Sequence, residues 1–196
     1  AKATILASKH EGIKILIIRK TYPELLANHI KPFKALLKIG APGNLIKYNE
    51  SKKEITFPNG STIRFGYCNY ESDIDRYQGN ETDILFLDEA TQLSEEQIKA
   101  LVVCVRGANS FPKRIYYTCN PGGKGHGYIK RLFIDKEYLD GEYPEEYSFI
   151  QSFVYDNKAL MESNPDYIRQ LEALPEAKRA AWLEGDWNSF IGQVFS

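Results

Sequence analysis

The chain has 196 residues, 43% of them hydrophobic and 26% charged, with a formal net charge of −1. That suits one α/β domain with a real core and little room for a second, and it supplies no bulk basic charge to announce a nucleic-acid partner. Cys68, Cys104 and Cys119 are odd in number and lack a CxxC pair, which argues against a disulfide framework or zinc site and fits a reducing cytoplasm; no apolar run approaches the roughly 20 residues of a membrane span, and the N-terminus lacks a signal-peptide core.

Ala1 to Lys9 reads as a helix with no start signal. Ile13 to Ile18 (IKILII) is a short, nearly continuous apolar run, as in a buried parallel strand. Thr21 and Glu24 have capping-box spacing and open a helix toward Gly40, with Pro32 expected to kink or interrupt it. Glu54–Phe57 and Thr62–Phe65 alternate apolar and polar residues about Pro58-Asn59-Gly60, which predicts an antiparallel hairpin. Ile84 to Leu87 is a second buried strand. Ser94 and Gln97 form another capping box, opening a helix to about Arg106 with Gly107 beyond its end. Ile115 to Cys119 is a third buried strand, Tyr128 to Ile134 a short helix, and Tyr147 to Val154 a fourth strand. In the tail, Asn164-Pro165 and Pro175 each open a helix, the second stopping at Gly185. Apolar strands alternating with capped helices predict an α/β fold with a mainly parallel sheet and an antiparallel hairpin insert.

Charge is unevenly spread. Tyr70 to Glu96 holds nine acids against Arg76, and Phe111 to Lys136 holds six bases against Asp135. An acidic metal-binding end beside a basic phosphate-facing segment would look like this, as would two solvated surfaces. Within the acidic stretch, ILFLDEA places Asp88 and Glu89 at the C-terminal end of a strand, where open α/β sheets bind ligands. Adjacent carboxylates there suit nucleoside-triphosphate hydrolysis: one for the hydrated Mg²⁺ on the phosphates, the next for the attacking water. A strand ending in a polar loop gives the same pattern. The neighbouring strand ends in Thr118-Cys119-Asn120, small and polar side chains suited to sensing a γ-phosphate, followed by the turn chemistry of Pro121-Gly122-Gly123. Lys124 stands in a Gly-rich run, but Gly125 follows it where a P-loop needs Ser or Thr. His126 reads as a structural hydrogen-bonder more readily than as a phosphate contact.

Four blocks occur in order: RKTYPELL (Arg19 to Leu26), RYQGNETDILFLDEATQLSEEQ (Arg76 to Gln97), YTCNPGGKGHGYIKRLFI (Tyr117 to Ile134) and LEGDWNSFIGQVF (Leu183 to Phe195). Together they resemble phage terminase large subunits over essentially the whole chain. The resemblance implies a P-loop NTPase-like domain of the additional-strand catalytic-glutamate class, using ATP and Mg²⁺ to move double-stranded DNA into a procapsid. It implies Asp88 as the Walker B aspartate, Glu89 as the catalytic glutamate, and Thr118, Cys119 and Asn120 as the motif coupling hydrolysis to movement. It further implies a portal protein, a small terminase subunit and a ring of like subunits as partners, in the host cytoplasm and at the procapsid portal, with no membrane. Lys124, Lys130 and Arg131 are the candidates for DNA contact. Arg76 and Arg106 are the candidates for an arginine finger. The family pattern places the Walker A loop before Ala1 and an RNase-H-like nuclease domain after Ser196. The expectation is therefore a partial ATPase domain over 1–160 and a helical linker over 161–196, inactive alone. Another P-loop ATPase, such as a helicase or recombination enzyme, shares the Walker B logic; a non-catalytic DNA-binding module of the same fold is the alternative from a different class.

Overall fold

A computed structural model describes residues 1–190. The chain divides into two compact units, Ala1–Thr118 and Cys119–Ser196. The first unit is built on a six-stranded sheet in the order β2-β3-β4-β1-β5-β6. Strands β1 (Lys14–Arg19), β4 (Thr62–Tyr67), β5 (Ile84–Asp88) and β6 (Arg114–Thr118) run parallel, while β3 (Glu54–Thr56) joins β4 and β2 (Lys47–Asn49) joins β3 antiparallel. This is the α/β sheet with an antiparallel insert that the apolar runs predict. The insert is more integrated than a hairpin suggests, because its second strand, β4, also pairs along its whole length with β1.

The continuous apolar character of β1 follows from its place. With helices over the sheet and strands on both sides, Ile15, Leu16, Ile17 and Ile18 are each at most 3% exposed. Burial of each such side chain contributes on the order of 1.5–3 kcal/mol. One part of the core gathers Ala3 and Ala7 of α1 (Lys2–Lys9), Leu25, Ile30, Ile55, Ile63 and Phe65.

Pro32 does not break its helix. α2 (Tyr22–Leu25) runs into a π-helical turn at Leu26–Ile30 and on through α3 (Lys31–Leu36). The wider turn precedes a residue that lacks an N–H and would crowd the preceding turn. Thr21 is the N-cap, but its hydroxyl donates to the Glu24 carboxylate (2.9 Å) and makes no bond to a backbone N–H. The Ser94–Gln97 box forms in full at the start of α4 (Glu95–Val102): Gln97 N–H donates to Ser94 Oγ (3.2 Å) and Ser94 N–H to Gln97 Oε1 (3.0 Å).

The second unit carries α5 (His126–Ile129), a π-helical turn at Lys130–Asp135, α6 (Lys158–Ser163), α7 (Asp166–Glu172) and α8 (Glu176–Leu183). The strand expected at Tyr147–Val154 is absent; the segment is irregular, ending in a 3₁₀ turn at Val154–Asp156. Its alternation has no sheet to serve: Phe149, Ile150 and Phe153 are 42%, 87% and 39% exposed. The block beginning at Leu183 extends past residue 190, so its end lies outside the described residues.

Candidate nucleotide site at the end of strand β5

The register that pairs Ile18 with Leu87 brings the ends of β1 and β5 together, and Asp88 pairs with Thr118 of β6. Three strands thereby deliver Arg19, Asp88 and Thr118 to one edge. Thr118 Oγ1 donates to Asp88 Oδ1 (2.5 Å). Arg19 Nη1 donates to Asp88 Oδ2, and His29 Nε2, from the π-helical turn, lies 2.8 Å from the same oxygen. Burial pushes the Asp88 carboxyl up. The bonds from His29 and Thr118, with the charges of His29 and Arg19, outweigh it and hold the group at about 2, below its ordinary 3.8.

Glu89 is held differently. Its backbone is left-handed, with φ 54° and ψ 49°, a conformation costly for a residue with a Cβ. The following 3₁₀ turn, Ala90–Gln92, enforces it: Ala90 and Thr91 are buried, and Gln92 N–H donates to Glu89 O (2.9 Å). Burial first, and the charge of Asp88 second, raise the Glu89 carboxyl above its ordinary value. Two adjacent acids are thus driven apart, one firmly ionised and the other made more basic, the condition under which neighbouring carboxylates divide roles.

Much of the acidic stretch proves structural. Asp73 accepts the N–H groups of Asn69 and Tyr70 at the start of a 3₁₀ helix, Glu71–Tyr77. Asp83, at the opposite end of β5 from Asp88, has no exposed side-chain surface and meets Lys113 Nζ (2.9 Å), Asn109 Nδ2 (2.8 Å) and the Lys14 N–H (2.9 Å). Among the described residues no cluster of three or more His, Cys, Asp or Glu side chains can hold a metal. What Asp88 offers is one low-pKa carboxylate, the type of single protein ligand Mg²⁺ accepts when phosphates and water complete its shell.

The two candidate finger arginines lie at opposite ends of the sheet. Arg76 is in the 3₁₀ helix that follows β4; it pairs with Asp73 (2.8 Å), sits 4.8 Å over the Tyr67 ring, and is half exposed. Gly66 makes room there, because a Cβ on it would collide with Tyr77, whose hydroxyl donates to Tyr67 O (2.7 Å). Arg106 is exposed beside Thr82, where Val105 bridges and Gly107 N–H bonds to the Thr82 carbonyl. It therefore stands at the N-terminal end of β5, away from Asp88.

In the second unit, Cys119 is half-buried, and Asn120 and Lys124 are exposed. Lys130 is paired with Asp135 (2.6 Å), and Arg131 makes two bonds to Glu142 (2.7 and 2.9 Å) and one to the Glu137 carbonyl (2.6 Å). His126 is buried; its Nδ1 accepts the Gly122 N–H (2.9 Å) and its ring stacks on Trp187 at 5.4 Å. Its position is structural.

Sequence reading missed Arg19 and His29. Arg19 carried a signal, as a cation ending the apolar run of β1. His29 carried none, since only the π-helical turn aims it at Asp88.

A family model described as phage terminase large subunit matches residues 1–183. The large terminase of a thermophilic bacteriophage is 22% identical over 95% of this chain and 43% of its own, with a TM-score of 0.69. The same terminase in complex with ADP is 20% identical at the same coverages and TM-score. The large terminase ATPase domain of Thermus phage P74-26 is 14% identical over 94% of this chain and 80% of its own, with a TM-score of 0.56. At these identities the likeness establishes the fold, the mixed α/β sheet flanked by helices of these terminases, and the chain spans less than half the length of the first of them. Comparison with curated protein sequences finds no match.

Proposed function

Because the chain belongs to the phage terminase large-subunit family, we propose that it is the ATPase part of a motor that couples ATP hydrolysis to translocation of double-stranded DNA into a procapsid. The observation that carries this reading is the pair Asp88–Glu89 at the end of β5, with one carboxyl depressed and the other raised. The large terminase of the thermophilic bacteriophage forms complexes with ADP and with ATP-γ-S, which supports nucleotide as the ligand of this edge. Mg²⁺ would neutralise charge on the transferring phosphate. Asp88, held ionised, is the residue that would hold that cation. Glu89, fixed by its strained backbone and made more basic by burial, orients the attacking water and accepts its proton.

The rest of the assignment follows the same edge. Thr118 links Asp88 to β6, and Cys119 and Asn120 continue that strand into the turn that carries nucleotide state onward. Arg76 is the better finger, because it follows β4 at the C-terminal side of the sheet. Of the basic residues, Lys124 is the best DNA contact, since Lys130 and Arg131 already hold carboxylates. Such contacts read phosphates and are sequence-indifferent and salt-sensitive. The portal protein, small terminase subunit and ring of like subunits belong to the same proposal, as does the division into an ATPase domain over 1–160 and a linker over 161–196. Glu89→Gln in the intact subunit tests it: ATP binding is retained and hydrolysis is lost, while Asp88→Asn weakens Mg²⁺-nucleotide binding. Equal loss of nucleotide affinity in both variants refutes the division of roles.

A further inference from the structure

Arg19 stands between two carboxylates and satisfies only one. Its Nη1 donates to Asp88 Oδ2. Its Nε is buried with no hydrogen-bond partner, yet lies 3.6 Å from Glu24 Oε2. An unsatisfied buried donor beside a carboxylate is an incomplete ion pair, costly where it stands and cheap to complete by a small shift. Glu24 sits one helical turn from its N-cap, Thr21, whose hydroxyl holds the same Oε2 at 2.9 Å. The second berth is therefore preformed.

We propose that Arg19 is a displaceable counter-ion, which occupies the Asp88 carboxylate in the empty site and moves to Glu24 when Mg²⁺-nucleotide is loaded. This rests on the assignment of Asp88 to Mg²⁺ above. Between the Asp88 partners on β1 and β6, chemistry singles Arg19 out. The Thr118 hydroxyl is donor and acceptor and turns to suit a hydrated cation without leaving. A guanidinium has only donors, carries a permanent positive charge, and has nothing to offer a metal. It must retreat from the oxygen that the cation's shell approaches. In the empty site it shields two adjacent acids from each other; in the loaded site its pairing with Glu24 offsets the loss.

The test is a Mg²⁺ titration of the thermal stabilisation that ATP-γ-S gives the intact subunit, at fixed pH and salt. Arg19→Gln lowers the Mg²⁺ midpoint about tenfold, since a cation in contact with a carboxylate shifts its occupancy by at least that factor. Glu24→Gln removes the second berth and raises the midpoint. Opposite shifts are the expected result; unchanged midpoints, or shifts in one direction, overturn the proposal. If Arg19→Gln fails to fold, Glu24→Gln decides alone, because its side chain is 40% exposed. Asp88→Asn separates this inference from its premise: a Mg²⁺ midpoint unchanged from wild type in Asp88→Asn refutes the metal assignment. A midpoint raised in that variant, with no shift in the other two, refutes only the exchange.

Discussion

Strand β5 is bracketed by two aspartates, Asp83 before it and Asp88 at its end, and each meets a cation from a distant segment. Asp83 is closed off: it has no exposed side-chain surface, and Lys113, Asn109 and the Lys14 N–H occupy it. Asp88 is 23% exposed; its cation has a second carboxylate within 3.6 Å, and the next residue is held in a left-handed conformation. The same side chain, five residues apart on one strand, is a fastening at one end and a site at the other. What separates them is access and the alternatives open to their partners. The C-terminal end of a parallel sheet, where chains splay into loops, supplies both.

That contrast breaks if either aspartate behaves like the other. Asp83→Ala is expected to cost about 3–5 kcal/mol, because it leaves Lys113 and the Lys14 N–H without their buried partner. Denaturant unfolding measures it, and the folded fraction keeps its nucleotide affinity. Glu89→Gln reverses the profile, with hydrolysis falling about 10²–10⁴-fold and no loss of stability. A stable Asp83→Ala, or an unfolded Glu89→Gln, erases the distinction between fastening and site.

The next effect is smaller and tied to pH. Asp88 is depressed to about 2 in the folded chain. Its pairing therefore stabilises the fold fully above its ordinary 3.8 and loses that contribution as pH falls toward 2. Asp88→Asn removes this dependence, so wild type and variant converge in stability between about pH 4 and about pH 2. Acid titrations followed by circular dichroism read the convergence; curves that stay parallel through that window show that the ion pair contributes nothing.

The two ends of β5 also differ in how far sequence could read them. ILFLDEA exposes Asp88 and Glu89 directly, because four apolar residues fix the strand and the next two must emerge at its end. Arg19 is written 69 residues earlier and His29 59 residues earlier. Neither position follows from local pattern: one depends on the parallel register of β1 with β5, the other on a π-helical turn that no propensity announces. The opposite error occurs at Tyr147–Val154, where aromatic and β-branched residues imitate a strand although no strand among the described residues pairs with them. β2 escaped for a simpler reason, since three residues are too few for alternation to register. The basic helix after Gly125 read as a DNA surface because a count of charges does not show that Lys130 is paired with Asp135, and because Glu142, the partner of Arg131, lies beyond the stretch Phe111 to Lys136.

The smallest expected effect concerns Glu89 alone. Its backbone at φ 54° is strained for any residue with a Cβ, at about 1 kcal/mol or more. Its carboxylate adds a cost, because burial and the charge of Asp88 raise its pKa in the folded chain. The folded state therefore binds that proton more readily than the unfolded state. At neutral pH its ionisation opposes folding, and the opposition eases as pH falls through the raised value. Glu89→Gln removes the charge but keeps the strain, and Glu89→Gly removes both. Melting temperature should accordingly rise from wild type to Glu89→Gln and again to Glu89→Gly, with the first increment shrinking at acid pH and the second indifferent to it. At Asp83 an equivalent pair of substitutions lowers melting at every step, since that carboxylate is fully partnered. A melting temperature that falls in Glu89→Gly would mean that Glu89 is itself a fastening, and that the left-handed turn is held by its side chain and not by Ala90 and Thr91.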